Sequence, residues 1–285
     1  MRRAGLLRML AVGGVLAGAL AGVAASPAAA DPGNAPDPAG YLALGDSVAA
    51  GVGASSPANG YVPLLGDLLA ADRHCGRGTA VGCTLELVNL AQPRATTATL
   101  IAEQLPAAVE LLTARRDTPT PVDDVRLVTI DIGGNDVFTP VVTACAADPQ
   151  STLCASTIAA RLSEVAVNLD RILSTLRAAA GPDTTIAVMT YYNPLAACRL
   201  AALAPLAQLV LEGGGPVPAG LNDIIRAAAA AYGAVVVETA PVIGPEDLVG
   251  GTDCLHPDDS GHADIAGAFA AVVDSGSILG PPGRR

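Results

Sequence analysis

Five short apolar runs rich in β-branched residues, alternating with longer stretches of helical period, constrain this 285-residue chain most. The strand candidates are Tyr41–Leu44, Leu85–Leu90, Arg126–Ile132, Thr185–Thr190 and Ala234–Glu238. The helical candidates are Tyr61–Ala71, Thr97–Ala114, Ser156–Ala179, Leu221–Tyr232 and Ser260–Val273. Most of the strands are continuously apolar, as a strand covered on both faces must be. Repeated β–α alternation implies right-handed crossovers, so the expected fold is α/β: a three-layer α/β/α sandwich around a central parallel sheet. One further apolar segment, Leu200–Leu211, reads either as a buried helix or as the wall of an apolar channel. No repeat or second boundary interrupts residues 41–280, which are expected to form a single domain.

The first thirty residues follow a different logic. Arg2, Arg3 and Arg8 precede an apolar run, Met9–Ala25, and S-P-A-A-A-D then supplies small residues at Ala28 and Ala30. That order predicts a secretory signal peptide over 1–30, cut near Ala30/Asp31. The run is shorter than the ~20 residues a spanning helix needs and lacks a basic stop-transfer flank. Residues 31–40, D-P-G-N-A-P-D-P-A-G, read as a flexible linker. The mature protein is therefore expected to be secreted, extracellular and soluble.

Charge and cysteine usage narrow the partners. All 16 basic residues are arginine, against 27 acidic residues, for a net −11; without the three signal arginines it is −14. Such a chain is a poor ligand for nucleic acid or anionic lipid. With no Trp, two Phe and five Tyr, stacking platforms for sugars or bases are scarce. Six cysteines in an exported chain favour disulfides over thiols. Fifteen connectivities are formally possible. Cys75–Cys83 and Cys145–Cys154 each bracket a short polar stretch, and Cys198–Cys254 follows by elimination. A metal site is the rival, but no C-x-x-C knuckle is present.

In a parallel α/β sheet, functional groups gather at the carboxyl ends of the strands. Ser47, in Y-L-A-L-G-D-S-V-A-A-G, follows the first strand. An unassisted hydroxyl is a poor nucleophile near neutrality, so it needs a base. Of three histidines, His256 stands in T-D-C-L-H-P with Asp253 three residues earlier. That spacing can place a carboxylate on Nδ1–H and turn Nε2 outward; the alternative is a helix cap with a surface ion pair. Asn135, in G-G-N-D after the third strand, can donate its amide to an oxyanion, with Gly133 and Gly134 allowing close backbone approach; the alternative is a plain turn.

Taken together, G-D-S-V, N-L-A-x-x-x-A-T-T, G-G-N-D and D-C-L-H-P, in that order from Leu42 to the helix after His256, resemble the four blocks of the SGNH (GDSL) hydrolases. The resemblance looks closest to their secreted, six-cysteine actinobacterial lipase/esterase branch. It implies a flavodoxin-like sheet order and ester hydrolysis by a serine without a metal; no cofactor is expected, and the protein is expected to be a monomer. The substrate would be a small-molecule ester or lipid, with Ser47 as nucleophile, His256 as base and Asp253 as its partner. The oxyanion hole would comprise the Ser47 and Arg94 amides and the Asn135 side chain. One position departs. Arg94 stands where the family's second block has glycine, and a positive φ there would strain it by about 1–2 kcal/mol. Arg94 could favour an anionic substrate, or could spoil the hole and leave a non-catalytic binding protein on the same fold.

Overall fold

The structure, a computed structural model, describes residues 39–71, 85–116, 124–273 and 278. The expected signal segment, most of the linker and the Cys75–Cys83 pairing lie outside those residues. Five parallel strands form one sheet in the order β2-β1-β3-β4-β5: β1 Ala39–Gly45, β2 Leu85–Asn89, β3 Val125–Asp131, β4 Thr185–Met189 and β5 Val235–Val237. Helices cover both sides of the sheet, as the expected three-layer sandwich requires. Every residue of β3 is buried, the signature of a strand enclosed by helical layers. The edge strand β2 is only partly covered.

The helices follow from their apolar spacing. In α1 (Tyr61–Ala71), Tyr61, Val62, Leu65 and Leu69 form the buried stripe. α2 (Thr97–Thr99) runs through a π turn, Leu100–Gln104, into α3 (Leu105–Arg116). α5 (Thr152–Ala180) buries Ile158, Leu162, Val165, Leu169, Ile172 and Leu176, an i/i+3/i+4 pattern over the whole length. It starts four residues before the expected Ser156, because Ser151 caps it by accepting the Cys154 N–H at 3.1 Å. α7 (Leu221–Ala231) and α8 (Asp259–Val272) lie close to expectation. α1 packs against α8, while α5 packs against α3, α7 and the helix over Gly134–Cys145, α4.

One helix departs from the sequence reading, and another decides between its two alternatives. α4 (Gly134–Cys145) begins inside G-G-N-D, a stretch outside every helical candidate, and carries Pro140 in its interior. Proline disfavours helix before itself, which hides this element; burial of Val137, Phe138, Val141 and Cys145 outweighs that local preference. Most of the Leu200–Leu211 segment lies in α6 (Ala204–Glu212), which buries Ala207, Val210 and Leu211, so it is mainly a packed helix. Cys145–Cys154 joins the end of α4 to the start of α5, and Cys198–Cys254 ties the loop after β4 to the loop before α8. Both are expected pairings.

Candidate active site

The order 2-1-3-4-5 reverses direction between β1 and β3, and the crevice at such a switch point lies at the carboxyl ends of those strands. Ser47 sits there. Gly45, the last residue of β1, has φ 151° and pairs in register with Asp131. A Cβ at position 45 would overlap the Asp131 carboxyl, so the close approach of the two strand ends requires glycine. The side-chain amide of Gln104 clamps the same residue: it accepts the Gly45 N–H at 2.9 Å and donates to the Gly45 C=O at 2.8 Å. The π turn ends at Gln104; such irregular turns are frequent at functional sites. Beyond Gly45, the Asp46 carboxyl accepts the Val48 N–H at 3.0 Å and the Asp131 carboxyl accepts the Ala49 N–H at 3.1 Å. Ser47 is left 9 % exposed at the mouth of this turn.

The loop before α8 reaches the serine. Oδ1 of Asp253 accepts the N–H groups of Leu255 (2.9 Å) and His256 (3.1 Å), folding D-C-L-H into a compact turn. Oδ2 of the same carboxyl lies 2.8 Å from His256 Nδ1, and His256 Nε2 lies 2.8 Å from Ser47 Oγ. Burial opposes ionisation of Asp253, but hydrogen bonds from the His256 ring and from the two backbone N–H groups outweigh it and hold the carboxyl below its usual range. This directs a carboxylate at Nδ1 and leaves Nε2 free to accept from Ser47.

His262 serves a different purpose. Its Nδ1 accepts the Tyr61 N–H at 3.2 Å, so Nε2 carries the proton and donates to the Val52 C=O at 3.1 Å. It is fully buried, and burial pushes its pKa below the ordinary 6.5. It pins α8 to α1 and to the loop that follows Ser47.

Asn135 lies in the first turn of α4, after Gly133 at φ 119°. Its Nδ2 donates to the Ala95 C=O at 3.0 Å, which leaves a second amide hydrogen for another acceptor. The neighbouring Asp136 accepts from the Thr97 N–H at 2.9 Å and from the Thr97 hydroxyl at 2.5 Å, joining G-G-N-D to the A-T-T segment. Among the described residues, the N–H groups of Ser47 and Arg94 donate to no protein group. Arg94 has φ 70° and is the one non-glycine residue with positive φ among those described. It occupies the third position of a turn closed by the Ala95 N–H on the Gln92 C=O at 3.1 Å, with Pro93 second. That is type II chemistry, in which proline fits the second place and glycine the third. The strained alternative weighed from sequence is therefore the one adopted.

Ser47, Asn135 and His256 line one cavity of about 30 Å³ together with Phe138, Tyr191 and Leu255. Arg94 is not among its lining residues. Phe138 and Leu255 also wall an outer groove of about 490 Å³ that includes Val142, Arg199 and Leu200. Of the segment considered as a channel wall, Leu200 alone reaches that groove. Among the described residues, no cluster of three or more His, Cys, Asp or Glu side chains is placed to hold a metal ion. Sequence reasoning missed Asp46, Asp131, Gln104 and Tyr191, whose hydroxyl donates to Asp46 at 2.7 Å. The available signal was an acidic residue ending a fully buried strand, in T-I-D-I-G-G.

No curated protein matches the chain. Solved structures that resemble it include the lipase Lip_vut3 from a goat rumen metagenome (19 % identity, 82 % of this chain and 96 % of that one, TM-score 0.59). Others are an extracellular lipase from Streptomyces rimosus (18 %, 82 % and 100 %, 0.55) and phospholipase A1 from Streptomyces albidoflavus NA297 (22 %, 82 % and 99 %, 0.53). At such identities the likeness shows the fold. The model of the GDSL-like Lipase/Acylhydrolase family matches residues 43–263, from the strand that delivers Ser47 to the helix that follows His256, and the chain belongs to that family.

Proposed function

We propose that this chain is a secreted serine hydrolase of carboxylic esters, of the lipase/esterase kind expected for the actinobacterial branch. The observation that carries the reading is the unbroken hydrogen-bonded series from Ser47 Oγ to His256 to Asp253, with 2.8 Å at each link. In the proposed cycle Ser47 Oγ attacks the ester carbonyl while His256 Nε2 takes its proton. Asp253 keeps the imidazole oriented and stabilises the imidazolium. The oxyanion is met by the N–H groups of Ser47 and Arg94 and the second hydrogen of the Asn135 amide. Each such donor contributes roughly 2.7–4 kcal/mol to the transition state. His256 then protonates the leaving alcohol, and a water activated by the same imidazole releases the acid from Ser47.

The acyl chain is assigned to the outer groove beyond Phe138 and Leu255, where Val142 and Leu200 offer apolar surface. Secretion is supported by the two disulfides, which persist in oxidising compartments. Among the described residues, no helix is long and apolar enough to cross a membrane. The second reading, a binding protein without turnover, draws on the positive φ of Arg94. A series of p-nitrophenyl esters of increasing chain length separates the two. Hydrolysis by the wild type that disappears in Ser47→Ala supports the enzyme. Folded protein inert towards every ester supports the binding protein.

A further inference from the structure

Directly beneath the Ser47 turn, two carboxyl groups meet in the interior. Asp46 follows β1 and Asp131 ends β3, on adjacent strands; they are 2 % and 0 % exposed. The Asp46 N–H donates to the Asp131 C=O at 3.1 Å, and each carboxyl bears directly on the ionisation of the other. Every other contact is a donor. On Asp131, the Tyr61 hydroxyl of α1 donates to Oδ1 at 2.9 Å and the Ala49 N–H to Oδ2 at 3.1 Å. On Asp46, the Val48 N–H donates to Oδ1 at 3.0 Å and the Tyr191 hydroxyl, from the loop after β4, to Oδ2 at 2.7 Å. Tyr41, Thr129 and Tyr192 complete the charged or polar surroundings, with His256 acting on Asp46 from the cleft side. None of these groups is a permanent cation.

Two buried carboxyls in contact cannot both ionise without a cation to compensate, so one keeps its proton. Burial, and after it the charge of Asp46, pushes the Asp131 carboxyl well above the usual range. Burial also raises Asp46, but the Val48 N–H, the Tyr191 hydroxyl and a hydrogen bond from Asp131 all favour its charged form. Geometry treats the two alike, each accepting one backbone N–H and one tyrosine hydroxyl; the stronger upward push falls on Asp131, which makes it the side that donates the shared proton to Asp46.

We infer that Asp46 and Asp131 form a carboxylic acid–carboxylate pair holding one proton between them, and that this pair positions the nucleophile. The pair grips the N–H groups of the two residues that follow Ser47, one carboxyl for each. It also limits the charge beneath the reaction centre to −1, where a second negative charge would oppose the developing oxyanion. An un-ionised Asp131 still accepts from Tyr61 and Ala49 while donating to Asp46. Asp131 is thus a positioning residue. The inference about positioning rests on Ser47 being the nucleophile; the protonation state does not.

Two measurements test it, and the first needs no turnover. In protein carrying ¹³C at the aspartate carboxyls, titrated from about pH 5 to about pH 8, one resonance should stay un-ionised throughout. It should be missing from Asp131→Asn. Ionisation of every aspartate by about pH 7, or survival of the un-ionised signal in Asp131→Asn, overturns the pair. The second is kinetic. Asp131→Ala leaves the Tyr61 hydroxyl and the Ala49 N–H without their acceptor and should lower kcat roughly tenfold or more with little change in KM. Asp131→Asn, close in shape to the un-ionised acid, can donate to Asp46 and keeps one oxygen to accept from Tyr61 or Ala49, so it should recover part of that loss. If asparagine is as damaging as alanine in folded protein, position 131 needs a carboxylate and the inference fails. Should Asp131→Ala not fold, the wild-type titration and Asp131→Asn decide. If esters are not hydrolysed at all, the titration still stands, which separates failure of the pair from failure of the proposed activity.

Discussion

Replacing Arg94 with glycine should stabilise the protein. The residue sits at φ 70°, where a Cβ crowds the following carbonyl at a cost of about 1–2 kcal/mol. Glycine removes that cost but widens the unfolded ensemble, which returns about 0.4–1 kcal/mol. No hydrogen bond or ion pair is lost, because the exposed guanidinium makes neither among the described residues. The net gain is therefore about 0–1.6 kcal/mol, centred near 0.8. For a domain of this size the central value is a rise in Tm of about 2–3 °C. Denaturant and thermal unfolding of both proteins measure it, with unchanged m-values to show that the unfolded state is comparable. Glycine keeps the backbone N–H, so kcat should fall by far less than the hundredfold or more that loss of an oxyanion donor costs. Any preference for anionic over neutral esters of equal chain length should disappear with the guanidinium. A variant less stable than the wild type would refute the strain argument and show that Arg94 makes compensating interactions.

Asp253→Asn keeps the shape of the loop but aims the wrong tautomer at Ser47, and kcat should fall by roughly 10³–10⁴ while the unfolding midpoint changes little; a loss under tenfold would remove Asp253 from the mechanism. The Cys198–Cys254 link closes 56 residues, for which chain entropy gives about 4 kcal/mol. The double serine variant should lose stability of that order, together with activity, because Cys254 adjoins Asp253. His262, held neutral with its pKa lowered by burial, binds fewer protons folded than unfolded. Its contribution is complete above the ordinary value of 6.5 and fades as pH falls from there towards the lower folded value. Stability from denaturant titrations should decline on acidification in the wild type and less steeply in His262→Gln; parallel slopes would contradict this.

The fold was legible because burial on both faces leaves a plain mark: β1, β3 and β4 are near-continuous apolar runs, and α5 repeats its stripe over 29 residues. Ser47, Asn135, Asp253 and His256 could be nominated from sequence because each stands in a short local motif, the first two just after strands and the last two in the loop before α8. α4 was not, since Gly133, Gly134 and Pro140 all argue locally against helix and only tertiary burial of Phe138 and Val141 decides otherwise. Asp131, Tyr61, Gln104 and Tyr191 converge from four separate segments, and no spacing announces which buried polar groups will meet. The φ of Arg94 could be posed as a question from sequence, but its sign depends on how the Gln92–Ala95 turn closes.

Reaction with a fluorophosphonate, followed by mass mapping of the adduct, tests the central claim most directly. One equivalent should appear on Ser47, vanish in Ser47→Ala, and form far more slowly in His256→Ala. Folded protein that stays unlabelled, or that carries the adduct on another residue, would contradict the assignment.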